Sequence, residues 1–230
     1  MSTAVLFLIP AKITNALNSS YILVVKNEKS KVILHQFPPV VHALREKTMP
    51  LHDRFTSWSS EIFDGSISRD RYLHFLKLFY GFYTPLERLA LARDEWHGLS
   101  FNLRERLKSS LIENDMLAFG VSETEIGAVR LCNSLPEMKS FVQILGGLYV
   151  IEGATIGGQH IYQKLHDLKF LNGGDGASFF RSYGDRVMPM WAAFCKMLGQ
   201  VANDDQAIEE MVQSAVNTYN SLGSWLARLS

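Results

Sequence analysis

From Pro38-Pro39 onward, apolar positions recur with a period close to 3.6 residues, the repeat of amphipathic helices. Leu44, Leu51, Phe55, Trp58 and Ile62 make the first stripe, and Asp64-Gly65 supplies a stop. Ser68 is placed to cap a second helix whose buried face reads Tyr72, Phe75/Leu76, Phe79, Tyr83 and Leu86. Pro85 within it predicts a bend rather than an end. A shorter helix is expected over about Leu103 to Leu117. Ser134 and Pro136 open a long one that carries Met138, Phe141, Leu145, Leu148 and Ile151 on toward Leu168. After a loop at Asn172–Gly176, helices are predicted from Phe179 to Leu198 and from Ile208 to Leu229. The last puts Met211, Ala215, Tyr219, Leu222 and Trp225/Leu226 on one face.

Residues 1–38 follow a different pattern. Tyr21–Val25 and Val32–Leu34 flank the polar stretch Lys26–Lys31 and fit a hairpin, which would have to dock on something to be stable. Ala4–Ile9 is a short apolar run with no Lys or Arg before it, so it does not read as a secretion signal. There is no repeat period, and no alternating strand pattern after residue 40. The chain reads as all-α: a single-domain helical bundle over residues 39–230 behind an irregular or hairpin-like N-terminal extension, residues 1–38.

Charge narrows the choice of partner. Lys and Arg total 23, as do Asp and Glu, so nothing favours a polyanion such as nucleic acid, while a small anion held by a few local cations stays compatible. Cys132 and Cys195 lie outside any CxxC spacing and read as buried apolar residues of a reducing, cytoplasmic compartment. No apolar run reaches the roughly 18–20 residues needed to span a bilayer. The histidines show no HxxxH or HExxH spacing, so a multi-histidine metal site is not supported.

One stretch departs from ordinary helix composition. Gly146-Gly147-Leu148-Tyr149-Val150-Ile151-Glu152-Gly153-Ala154-Thr155-Ile156-Gly157-Gly158 holds five of the 16 glycines inside a helical pattern. At about 1 kcal/mol per interior glycine relative to alanine, roughly 5 kcal/mol of helix propensity is given up. Gly146, Val150, Gly153 and Gly157 fall along one face, with Ala154 and Gly158 beside them. Such a face admits a flat ligand against the backbone, or equally another helix through Gly153-x-x-x-Gly157. His52, at the edge of the first apolar stripe, could be a metal ligand, although a lone histidine there is more often structural.

Several segments, in order, resemble the haem oxygenase family, and most closely its bacterial, biliverdin-producing, phytochrome-associated branch. The first is Leu44-Arg45-Glu46-Lys47-Thr48 through Leu51-His52-Asp53-Arg54, similar to the helix that bears the proximal histidine. Gly65-x-Ile67-x-Arg69-Asp70-x-Tyr72-x-x-Phe75-Leu76 follows, continuing to Tyr83-x-Pro85-Leu86-Glu87. Then come Leu148-Tyr149-Val150-x-Glu152-Gly153-x-x-x-Gly157-Gly158, similar to the glycine-rich distal helix, and Phe179-Phe180-x-x-Tyr183-Gly184 with Met190-Trp191. Thr218-Tyr219-x-x-Leu222-x-x-Trp225-Leu226 completes the set, so the resemblance spans about residues 40–229.

That resemblance implies a function and a site. Haem b would be both cofactor and substrate, opened with O2 and an external reductant to biliverdin, carbon monoxide and ferrous iron. His52 would be the axial ligand, a neutral imidazole suited to oxygen activation. Gly153 and Gly157 would form the catalytic distal face. Arg45, Tyr149, Arg181 and Arg186 are the candidate partners of the haem carboxylates, Arg45 lying two turns before His52 with Pro50 between them. Ferredoxin, flavodoxin or a flavin reductase would donate electrons, since no flavin or dinucleotide fingerprint occurs, and a phytochrome would accept the biliverdin.

The sequence departs from the family at two points. Ala154 stands where many members carry an aspartate, and Thr56 where a carboxylate follows the proximal histidine. A haem carrier of the same fold is the alternative; a helical enzyme acting on another heterocycle would leave His52 and the bare glycine face unexplained.

Overall fold

The computed structural model describes residues 37–227, except Ser59, His166, Asp167, Lys169 and residues 172–174. The side chains of residues 52–58, 62 and 63 also lie outside that description, as does the hairpin expected within residues 1–38. Every described element is helical.

Helix α1 (Pro39–Trp58) begins on a proline, whose missing N–H is no loss in a first turn, and runs on through Pro50. Arg45 and His52 therefore share one helix. A single turn, α2 (Ser60–Phe63), follows, and the chain reverses at Gly65 with φ +74°. In α3 (Arg69–Leu91) the Ser68 side chain accepts from the Arg71 amide, and Pro85 does not end the helix. Its predicted stripe, Tyr72 to Leu86, is buried. After α4 (Ser109–Ala118) and α5 (Glu123–Gly127) comes the long α6 (Phe141–Leu165), then α7 (Ser178–Arg181), α8 (Val187–Val201) and α9 (Asp205–Leu226).

The structure differs from the sequence expectations in three places. The helix expected from Leu103 is a 3-10 turn, Leu103–Arg106, before α4 proper. The long helix starts at Phe141, not near Ser134, because Ser140 and Gln143 cap it reciprocally. The Ser140 hydroxyl accepts from the Gln143 amide (3.1 Å), and the Gln143 side chain accepts from the Ser140 amide (3.3 Å). The stretch Phe179–Leu198 is two helices rather than one, parted where Ser182 and Gly184 take φ of +46° and +56°.

α9 forms the inner support. Both α1 and α6 pack along it, and α1 also meets α8. The fit of α6 on α9 is close, since a Cβ at Gly146 would stand 2.3 Å from the Met211 carbonyl oxygen. Trp225 ties α9 to α3 by donating to the Leu78 carbonyl at 2.8 Å. α6 is the one described helix long and apolar enough to cross a membrane, and 67% of its most apolar window is buried inside the bundle.

Candidate functional site

The glycines of α6 divide into two groups. Gly146, Gly147 and Gly158 are pressed against protein: an added Cβ would meet the Met211 carbonyl at 2.3 Å, the Met138 methyl at 2.6 Å and the Phe180 carbonyl at 3.1 Å. For these three, close packing is the reason for glycine. Gly146 therefore leaves the ligand face assigned to it from helical spacing, because that face turns into α9 before Val150. Gly153 and Gly157 are different. A Cβ on Gly157 would meet nothing within 4 Å, and one on Gly153 only the Trp191 ring edge at 3.7 Å. Gly157 and Ala154 are exposed and Gly153 half-buried, so α6 presents a short bare strip in its second half.

Tyr149 stands one turn before that strip. Its phenol hydrogen-bonds the Thr48 side chain of α1, within reach of the Arg45 charge. Burial pushes the phenol up to about 12, and the Thr48 and Arg45 contacts partly oppose that rise. Thr48 itself is buried and donates to the Leu44 carbonyl at 2.8 Å, which fixes its hydroxyl. The Tyr149 ring packs on Trp191, with centroids 5.5 Å apart. At the far end α2 packs on α6, and Gly65 faces the Lys164 carbonyl.

These contacts bring first α1 and then α2 and Gly65 beside α6 in the same order along the chain. Thr48 meets Tyr149, and four residues on, one turn in each helix, come His52 and Gly153. The structure thus groups Arg45, Thr48 and Tyr149 directly, with Gly153, Gly157 and Trp191 next along α6. His52 belongs to α1, and its side chain is among those outside the description. Arg181 and Arg186 lie at the turn between α7 and α8, where the Arg181 carbonyl accepts from Gln159 of α6 at 2.6 Å. Both are exposed and line a surface pocket with Ser182 and Tyr183, a pocket that touches none of Arg45, Tyr149, Gly153 or Gly157.

Behind the strip lies a buried ionic cluster that sequence reasoning missed. Glu152, 3% exposed, accepts from Arg106 at 2.9 Å and from Lys108 at 2.9 Å. The Tyr183 hydroxyl donates to the same carboxylate at 2.6 Å. Burial lowers the Lys108 ammonium from its usual value, while Glu152 opposes that shift. Glu87 accepts from the Lys108 amide at 2.5 Å and from the Ser109 hydroxyl, and burial raises its carboxyl. The signal was present in the sequence. Glu152 is the only acidic residue in the apolar run Phe141–Leu165, and a buried lone carboxylate requires cations. Trp191 and Thr48 fall within segments that resemble the family, but their residue types and spacing assign them no role.

A model of the haem oxygenase family matches residues 39–228, nearly the whole described chain. The chain belongs to the haem oxygenase family. It is accordingly an enzyme that degrades haem. A crystal structure of the NO- and CO-bound haem oxygenase of Neisseria meningitidis superposes with a TM-score of 0.65 at 18% identity, covering 83% of this chain and 91% of that one. At that identity the likeness shows the fold, which is the all-helical one expected. No curated protein sequence matches the chain. Haem fits the residues present: a flat macrocycle needs a helix face free of side chains, and Gly153 and Gly157 leave such a face where an added Cβ would meet at most a ring edge.

Proposed function

We propose that this haem oxygenase takes haem between α1 and α6, with His52 as the axial ligand, and opens the ring to biliverdin, carbon monoxide and ferrous iron. The observation that supports the reading is that Thr48 meets Tyr149, with His52 and Gly153 each one turn further along their own helices and Gly153 at the start of the bare strip. Haem supplies the redox-active iron and is also the ring that is consumed.

The chain's own residues bind, orient and exclude. Arg45 and Tyr149 are the partners of the haem carboxylates, one a cation and the other a buried phenol that stays protonated. Gly153 and Gly157 keep the oxygen-binding side free of side chains, so only backbone and small molecules approach it. Trp191, packed on Tyr149 and facing Gly153, walls that side. Ala154 offers no carboxylate, so ordered water rather than an aspartate carries protons there, in keeping with the bacterial, phytochrome-associated branch that the motifs resemble. Electrons come from a separate ferredoxin, flavodoxin or flavin reductase, and a phytochrome is the acceptor of the biliverdin.

The test of the ligand is spectroscopic. His52→Ala should lose the histidine-ligated ferric haem spectrum, while His42→Ala and His160→Ala keep it. A spectrum that survives in His52→Ala and disappears in either of the others would overturn the assignment.

A further inference from the structure

The ionic cluster behind α6 ties together both walls of the distal site. Glu152 immediately precedes Gly153 and binds Arg106 and Lys108, which lie just before α4, as well as Tyr183 from the turn before α8. Arg106 makes a second bond, to the Met190 carbonyl at 3.1 Å, and Met190 immediately precedes Trp191. Trp191 is in turn the side chain nearest to Gly153. One carboxylate and one guanidinium therefore hold the backbone next to Gly153 and the backbone next to Trp191 in a fixed relation.

Stability alone does not account for such a cluster. A buried ion pair roughly breaks even against apolar residues of the same volume, whereas its hydrogen bonds fix direction as apolar contacts do not. Arg106 is held on every side: it stacks over Phe101 at 4.3 Å while bonding Glu152 and Met190. Lys108 is held as firmly, with bonds to Glu152, the Tyr183 hydroxyl (2.6 Å) and the Arg106 carbonyl (2.5 Å). At about 100° per residue Glu152 points some 140° away from Gly157, so it does not reach a ligand on the bare strip.

We propose that Glu152 and Arg106 are positioning residues that set the rotation of α6 and its spacing from Trp191, and thereby which edge of the haem is opened. The proposal rests on haem lying against Gly153 and Gly157. It assigns the cluster to the geometry of the distal side, not to haem affinity.

The experiment compares wild type with Glu152→Gln and with the apolar triple variant Arg106→Leu/Lys108→Met/Glu152→Leu, each loaded with ferric haem. Three quantities are read: the haem Kd, the pH midpoint of the spectral change of water bound to ferric iron, and the ratio of biliverdin isomers. The expected result is a Kd within about threefold of wild type. The midpoint should move by about half a pH unit or more. A second isomer should appear where wild type gives one. The triple variant, with no charge left unpaired, should fold at least as stably as Glu152→Gln and show the same midpoint shift and isomer mixture. A triple variant with wild-type midpoint and a wild-type isomer ratio would overturn the proposal. So would failure of both variants to fold, which would assign the cluster to the fold alone. Failure of the wild type to bind haem would instead overturn the haem reading.

Discussion

The Tyr149 phenol on α6 meets the Thr48 side chain on α1, joining two helices that both pack along α9. It places a buried phenol beside the Arg45 charge, one turn before His52 on one helix and one turn before Gly153 on the other. A ligand with carboxylates at one edge and a flat apolar body beyond matches that sequence of features.

Tyr149→Phe should weaken haem binding by roughly fivefold to tenfold, the loss of one hydrogen bond of about 1 kcal/mol. Folding should be retained, because the ring still packs on Trp191. Arg45→Ala should weaken binding further and make it less dependent on salt. Haem titrations at two ionic strengths check both. Unchanged affinity in Tyr149→Phe would place the carboxylates elsewhere.

The two glycine groups of α6 predict opposite outcomes for the same substitution. Gly146→Ala should destabilise the fold by about 1–3 kcal/mol, since its Cβ would be driven into the Met211 carbonyl. Gly157→Ala meets open space and should stabilise the apo-protein by up to about 1 kcal/mol through better helix propensity. Thermal unfolding of the two apo variants decides the matter, and a destabilised Gly157→Ala would show a contact that the bare strip lacks.

Gly153→Leu should fold, because its nearest neighbour is only the Trp191 ring edge, yet block ring opening by filling the oxygen side of the haem. Circular dichroism with a single-turnover assay separates the two effects. Wild-type turnover in this variant would mean that the haem lies against another face.

A pH dependence follows from Glu87. Burial raises its carboxyl above the usual range, so on acidification the folded chain takes up this proton before the unfolded chain does. Its contribution to stability is therefore complete below the unfolded carboxylate pKa and is lost as pH rises through the folded one. Wild type should gain stability relative to Glu87→Gln as pH falls from 7 toward 4.5. Denaturant unfolding at a series of pH values tests the sign, and a difference that moves the other way would contradict it.

Much of this arrangement is legible in the sequence. The 3.6-residue stripes of α3 and α9, the Ser68 cap and the start at Pro39 follow from local rules, and the structure keeps them. The break at Ser182 was not legible, because a non-glycine residue at φ +46° is held by tertiary packing that the sequence does not advertise. Glycine spacing announced close approach along α6 but could not say which glycines meet protein and which face open space. Only the position of Met211 and Phe180 against Gly146 and Gly158 separates them. Arg181 ends α7, where its carbonyl accepts from Gln159 of α6 at 2.6 Å, while its exposed side chain and Arg186 line the pocket at the turn before α8.

The central claim is that the chain opens haem rather than merely holding it. The most direct measurement is an absorption time course of the ferric haem complex supplied with a reductant in air. The account predicts loss of the Soret band with a rising biliverdin band and release of one carbon monoxide per haem. A Soret band that persists under sustained reduction, with no carbon monoxide formed, would contradict it.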